Sequence, residues 1–209
     1  MAGPDLSDPL ASIAGRVRVT PGTTVVLLGP DIKEELGVTQ ILIEHELRFV
    51  LDLADRVAVL DGGVIQQVGT PMELYEAPAN LFVAGFLGTA NIVEGKIVAN
   101  GSAVAYETAR GERIGLPSSV KLPLSGHLVF RPQSVALSEV DPLTAMNHAT
   151  FQGRIVHREF LGATMRYGIS FGAREILADM PFRAGDRQHV TGDMVWASVP
   201  ASALLWLET

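Results

Sequence analysis

The sequence predicts two domains of different class: an α/β segment over residues 1–88 and an all-β domain over residues 89–209. Up to Gly88, apolar strand runs alternate with helical patterns and helix start signals. From Ala90 onward, short strand-like runs recur roughly every ten residues, cut by Gly, Pro and Asn, which argues a small antiparallel barrel or sandwich. With 47% hydrophobic and 19% charged residues, the composition is that of a folded protein rather than a disordered one.

In the first segment, residues 25–28 (VVLL) form an apolar strand that delivers Gly29 and Pro30, as a phosphate-binding loop begins. In the G-x-x-x-x-G-K-[ST] register counted from Gly29, the closing Gly, Lys and Ser/Thr fall at positions 34–36. The chain has Glu34, Glu35 and Leu36 there. DIKEELG at 31–37 reads as a short helix, with Asp31 as N-cap, Glu34 as capping-box partner and Gly37 as the stop. Residues 40–43 are a second strand. ELRFVLDLADR at 46–56 then places Leu47, Val50, Leu51 and Ala54 on one helical face, and residues 57–60 return as a third strand. Asp61-Gly62-Gly63 makes a tight turn into VIQQVG, a hairpin. Thr70, Pro71 and Glu73 are the capping residue, first-turn proline and capping-box acid of another helix, and LFVAGFLG at 81–88 is a last apolar helix. In the second domain the strand-like runs are IVEGKIV, AVAYET, ERIGL, HLVFR, SVALS, FQGRIVHREF, TMRYGISF, REILADM, HVTGDMVWASV and LLWLE.

A net charge of −7 and a pI near 5.2 give no general attraction to nucleic acid or anionic lipid. A single-strand binding groove also needs basic residues interleaved with stacking aromatics, and 6% of the chain is aromatic. Nucleic acid is therefore not an expected partner. No cysteine is present, which removes disulfides, thiolate nucleophiles and cysteine-ligated zinc, and the histidines His127, His148, His157 and His189 lack metal-ligand spacing. The start, MAGPDLSDPLAS, carries acids where a secretory signal carries basic residues, and no apolar run reaches about 18 residues. The expectation is a soluble, cytoplasmic protein without a metal site.

ELGVTQILIEHE, followed by LADRVAVLDGGVIQQVGTPMELYEAPANLFVAGFLG, closely resembles the end of the ATP-binding subunit of ABC importers serving sugars, polyamines, ferric iron and similar solutes. The resemblance runs nearly unbroken from Glu35 to Gly88. LVFRPQSVALS, FQGRIVHREFLGATMRYGIS and GDMVWASVPASALLWLE resemble strands of that family's C-terminal TOBE regulatory domain, an OB-like β-barrel. The implied fold is a remnant of a P-loop ABC ATPase core followed by a TOBE barrel. In such a remnant the first strand lies between the second and third, joined to them by parallel crossovers.

By this resemblance His45 is the switch histidine, the one catalytic-type residue retained, and Gly29 starts an incomplete P-loop. Relative to the family the chain passes from Pro30 to Asp31 without the rest of Walker A, the signature motif or Walker B. Leu124-Ser125-Gly126 imitates part of the signature but sits in the β-domain, and VAVLD at 57–61 imitates Walker B but follows the switch histidine. The intact family binds ATP and Mg. A P-loop wraps phosphate in glycine N–H groups and neutralises it with Lys, whereas Asp31, Glu34 and Glu35 compete for those N–H groups and repel the phosphate. The chain is expected to bind no nucleotide tightly and to be inactive alone. The implied partners are membrane permease subunits, a solute-binding protein and a second copy, at the inner face of the cell membrane. An alternative is a non-catalytic module, sensing a small molecule or oxyanion or serving dimerisation, in which Arg131, Arg154, His157, Arg158 and Arg166 supply the donors.

Overall fold

The structure is a computed structural model that describes residues 24–28, 40–44, 50–52, 54–100, 103–117, 125–142 and 147–208. It divides into two compact units, residues 1–88 and 89–209.

In the first unit, β1 (Thr24–Leu28), β2 (Gln40–Glu44), β3 (Ala54–Asp61) and β4 (Val64–Gly69) form one sheet in the order β2-β1-β3-β4. The strand order is the one the resemblance implies, but the directions are not. β1 is antiparallel to both β2 and β3, and β3 to β4, so the parallel α/β arrangement expected of an ATPase core is not what these strands form. The connection from β1 to β2, residues 29–39, falls short of the dozen or more residues a parallel crossover needs, and an antiparallel return requires no crossover. β2 and β3, each antiparallel to β1, run parallel to one another on either side of it. Of the helix expected over 46–56, residues 50–52 are helical, whereas Ala54, Asp55 and Arg56 belong to β3. Pairing of Leu28 with Ala54 and of Leu27 with Arg56 extends the strand against the helical pattern.

Local chemistry is more direct at the next elements. Gly62 (φ 56°) and Gly63 (φ 82°) supply the two consecutive left-handed positions of a tight hairpin turn between β3 and β4. At α1 (Pro71–Glu76) the Glu73 N–H donates to Thr70 Oγ1 at 3.2 Å and the Thr70 N–H to Glu73 Oε2 at 2.8 Å, a closed capping box. The Thr70 backbone N–H, foremost, holds the Glu73 carboxyl below its usual range. At α2 (Leu81–Phe86) the Val83 N–H donates to Asn80 Oδ1 at 3.0 Å. Val57 and Val59 pack with Val50, Leu74, Val83 and Leu87, while Ala58 and Leu60 meet Ile65 and Val68, so β3 is buried on both faces.

The second unit is mostly β. Its strands are β5 (Asn91–Asn100), β6 (Ala103–Thr108), β7 (Arg113–Leu116), β8 (Ser125–Phe130), β9 (Ala136–Ser138), β10 (His148–Phe160), β11 (Thr164–Phe171), β12 (Arg174–Pro181), β13 (Met194–Pro200) and β14 (Leu205–Leu207). They form one sheet with the path β12-β11-β10-β7-β6-β5-β8-β14, and β13 pairs with β10 and β9. The strand expected over 189–199 begins at Met194, because Asp193 and Gly192 turn back to bond Ile155. Period-two alternation decides which face is core: Met165, Tyr167, Ile169 and Phe171 of β11 and Val195, Ala197 and Val199 of β13 are buried. β10 changes partner midway. His148–Arg154 pairs with β13, Arg154–Phe160 pairs with β11, and a bulge falls between Ile155 and His157.

Candidate functional site

β5 and β12 lie side by side in the second unit without a backbone ladder between them. The Asn91 side chain substitutes for one: its Nδ2 donates to the Leu177 carbonyl at 2.9 Å, and the Leu177 N–H donates to its Oδ1 at 2.8 Å. Asn91 is 4% exposed, a burial that a primary amide tolerates when both its ends are bonded. Arg174, at the start of β12, adds a looser tie. Its Nη1 lies 3.3 Å from the Ile92 carbonyl and its Nη2 lies 3.9 Å from Glu94 Oε2.

Beside this seam is a cleft of about 260 Å³ lined by Glu94, Thr108, Ala109, Arg110, Glu112, Ala173 and Arg174. It is built where the β6–β7 turn meets the β11–β12 turn. The Gly111 N–H donates to the Thr108 carbonyl at 3.0 Å, which closes the first turn. Glu112 pins the two turns together: its carboxylate accepts the Thr108 hydroxyl and lies against Gly172, where any Cβ would collide with it. The Thr108 hydroxyl, foremost, holds the Glu112 carboxyl below its usual range, with the Ala173 N–H contributing. Glu112 is therefore committed to the fold. Arg110 is exposed and makes no side-chain hydrogen bond or ion pair among the described residues.

The five donors proposed from sequence do not form one site. Arg131 is 6% exposed, with its Nη1 3.4 Å from the Thr89 carbonyl. Arg154 donates to the Gly192 carbonyl at 2.7 Å, and Arg158 to that of His189 at 3.3 Å. His157 Nδ1 lies 2.9 Å from Glu175 Oε1, a bridge that passes across Gly168 of the intervening strand. Arg166 grips Asp179 with two hydrogen bonds, 2.7 and 2.8 Å, and that carboxylate raises the guanidinium further above its ordinary value. Arg158 stands opposite core-facing Tyr167, whereas Arg154, His157 and Arg166 stand on the other face. Three of these lie together on β10 and β11, but each is already occupied by the protein's own acceptors. His45 and Gly29 lie outside the described residues, as do the acids at 31, 34 and 35.

Sequence reasoning missed Arg110 and Arg174. The available signal was slight: each follows an alanine, Arg110 within a hairpin turn and Arg174 where a turn enters β12. Among the described residues no group of three His, Asp or Glu is placed to hold a metal, and no helix is long and apolar enough to cross a membrane.

The TOBE domain family matches residues 128–207. The spermidine/putrescine import ATP-binding protein PotA of Marinobacter nauticus is 33% identical over 168 residues, covering 77% of this chain and 42% of that protein. The alpha-glucoside transport ATP-binding protein AglK of Rhizobium meliloti is 32% identical over 197 residues, 89% of this chain and 52% of that one. The Fe(3+) ions import ATP-binding protein FbpC of Rhizobium etli is 29% identical over 164 residues, 78% and 44% respectively. Among solved structures, the cytoplasmic molybdate-binding protein ModG in its molybdate-bound form aligns over 57% of this chain and 96% of that one, with a TM-score of 0.42 and 16% identity. Over residues 128–207 the chain is thus similar to TOBE domains. Its relatives are ATP-binding subunits of ABC-type importers, and it spans about half the length of those it matches.

Proposed function

We propose that this chain is the tail and TOBE regulatory domain of an ATP-binding subunit of an ABC importer for a small polar solute, and that it hydrolyses no ATP alone. One observation carries the reading. The likeness to the PotA relative extends over 168 residues, well beyond the TOBE match at 128–207, and so into the stretch that a free-standing β-barrel has no reason to carry. The relatives are named for polyamine, ferric iron and alpha-glucoside transport, a spread that supports the importer class without choosing a solute. In this reading the chain works as a homodimer against two membrane permease subunits served by a solute-binding protein. It sits peripherally on the inner face of the membrane, and His45 is a switch histidine left without its nucleotide.

The phosphate site does not fit ATP as the residues stand. Glu34, Glu35 and Leu36 occupy the positions of the glycine, lysine and hydroxyl residue that a P-loop needs. A calorimetric titration with Mg-ATP, run against magnesium alone, tests this directly. The expected outcome is no saturable heat at millimolar nucleotide. Saturable binding that is lost in His45→Ala would overturn the inactive reading and restore a working nucleotide site. The alternative, an oxyanion sensor using Arg131, Arg154, His157, Arg158 and Arg166 together, is not favoured, because the five face different ways and are engaged internally.

A further inference from the structure

We propose that the distal half of β10 is a strand-addition site for an extended segment of another protein, one that carries an apolar residue and, two positions further on, an acidic one. The inference concerns the β-domain alone and stands whether or not the chain serves an importer.

β10 loses one of its neighbours midway. Its ladder to β13 ends at Arg154, and Ile155 makes the last bonds on that side: its N–H donates to the Asp193 carbonyl at 2.9 Å, and its carbonyl accepts the Gly192 N–H at 2.8 Å. The chain ahead of β13 turns away there, closed by the Asp193 N–H on the Val190 carbonyl at 3.1 Å. Residues 157–160 have β11 as their one ladder partner among the described residues. The direction of their backbone groups follows from the hairpin turn, where the Leu161 N–H donates to the Thr164 carbonyl at 2.8 Å. Leu161 therefore points its backbone at β11, as do Glu159 and His157, whereas Arg158 and Phe160 point theirs away. The N–H and C=O groups of those two residues have no backbone partner among the described residues.

An unpaired edge of this kind accepts an extended chain that adds a strand. The side chains beside it define which chain. Arg158 and Phe160 stand opposite the core residues Tyr167 and Met165 and share their face. Phe160 is 59% exposed, its ring centre lies 4.9 Å from that of Phe182, and neighbouring Leu161 is 45% exposed. An apolar residue paired with Phe160 lands on this shelf. Arg158 has no carboxylate partner among the described residues, and its bond to the His189 carbonyl, at 3.3 Å, is long for a charged donor. Glu159 stands on the other face, opposite Arg166. An acid paired with Arg158 supplies the missing charge. On an antiparallel added strand the residue facing Phe160 comes first and the one facing Arg158 two positions later, which gives the order apolar-x-acidic. A second copy of this chain fits worse. The antiparallel register that engages both residues sets Glu159 directly against its own counterpart, and like charges directly opposite are destabilising.

The test is a titration of the full chain with the fluorescein-labelled peptide Ser-Thr-Val-Thr-Glu-Thr, followed by fluorescence anisotropy, with amide exchange at residues 157–161 read by NMR. One control is the same peptide N-methylated at its valine, which keeps every side chain and removes the backbone donor to the Phe160 carbonyl. The other is Arg158→Ala, which alters an exposed side chain. In the free chain the 158 and 160 amides are expected to exchange fast and those of 157, 159 and 161 slowly. The peptide is expected to bind saturably and to slow exchange at 158 and 160, with affinity weakened about fivefold or more by N-methylation and by R158A. Absence of saturable binding, binding indifferent to N-methylation, or binding indifferent to R158A overturns the proposal. Protection of the 158 and 160 amides in the free chain also overturns it, and loss of that protection on dilution would assign the edge to a second copy.

Discussion

At the scale of single residues, Asn91 and Tyr106 do work that strands usually share. Asn91→Ala removes both bonds to Leu177 and leaves that residue's N–H and carbonyl facing an apolar methyl. The expected cost is about 2–3 kcal/mol, measured by urea unfolding. Asn91→Asp should also destabilise, since it sets a carboxylate oxygen against the Leu177 carbonyl. Tyr106 is fully buried, and its hydroxyl, with one proton to donate, lies 2.7 Å from the carbonyls of both Val93 and Gly126. Burial, foremost, pushes its phenol from 10.0 up to about 12. The folded state therefore holds the proton more tightly than the unfolded chain does. That stability is complete below pH 10.0 and is lost as the pH rises toward about 12. Tyr106→Phe should shrink the alkaline loss seen in a pH series of melts, while costing about 1–2 kcal/mol at neutral pH. Two glycines give opposite expectations for one added methyl. At Gly95 the Cβ would collide with the Glu107 carbonyl oxygen, which backbone pairing fixes in place. At Gly168 it meets the movable ends of Glu175 and His157. Gly95→Ala should cost about 2–4 kcal/mol and Gly168→Ala under about 1, compared by thermal melts.

At the scale of elements, the capping box of α1 links stability to pH with a definite sign. Glu73 is held below its ordinary 4.5, so its contribution is present above that value and fades as the pH falls through the lowered one. Thr70→Ala should cost about 1 kcal/mol at neutral pH. The gap from the parent should narrow in acid melts as Glu73 becomes protonated in both proteins. This helix was legible in advance because its signal is local: a threonine, a proline and a glutamate within four positions. The Asp61-Gly62-Gly63 turn was legible for the same reason, and so was β11, whose alternating core residues mark it as a strand from Thr164 to Phe171. What was not legible depended on partners distant in sequence. Ala54 to Arg56 carry a helical pattern and became strand because Leu27 and Leu28 pair with them. β1 reversed direction relative to its expected neighbours because the 29–39 connection is short. Residues 190–193 look like strand and turn instead, because Gly192 and Asp193 bond the backbone of Ile155.

At the scale of the whole molecule, the candidate site shows why composition and spacing go only so far. Basic residues in a β-domain are easy to list from sequence, and the obvious ones on β10 and β11 prove to be paired with acids and carbonyls nearby. Of the two that line a cavity, Arg110 sits in a hairpin turn and Arg174 at the start of β12, and nothing in their spacing announces that β12 closes onto β5. Homology reads farther than geometry here, since the relatives are named as ATP-binding proteins while the sequence has acids at 31, 34 and 35.

The bulge in β10 has a consequence for which mutations the fold tolerates. Arg154 is the residue in register with both partners, Met194 on one side and Ser170 on the other, and the extra residue, Val156, comes two positions later, after Ile155. Substituting Val156, which is exposed, changes a surface side chain. Deleting it would take out the extra residue itself, leaving His157, Arg158, Glu159 and Phe160 opposite Gly168, Tyr167, Arg166 and Met165 as before and straightening the strand. The same position is thus permissive to point mutation and to a frame-preserving codon loss, whereas losing a codon from the paired residues beyond it would turn their side chains to the opposite face.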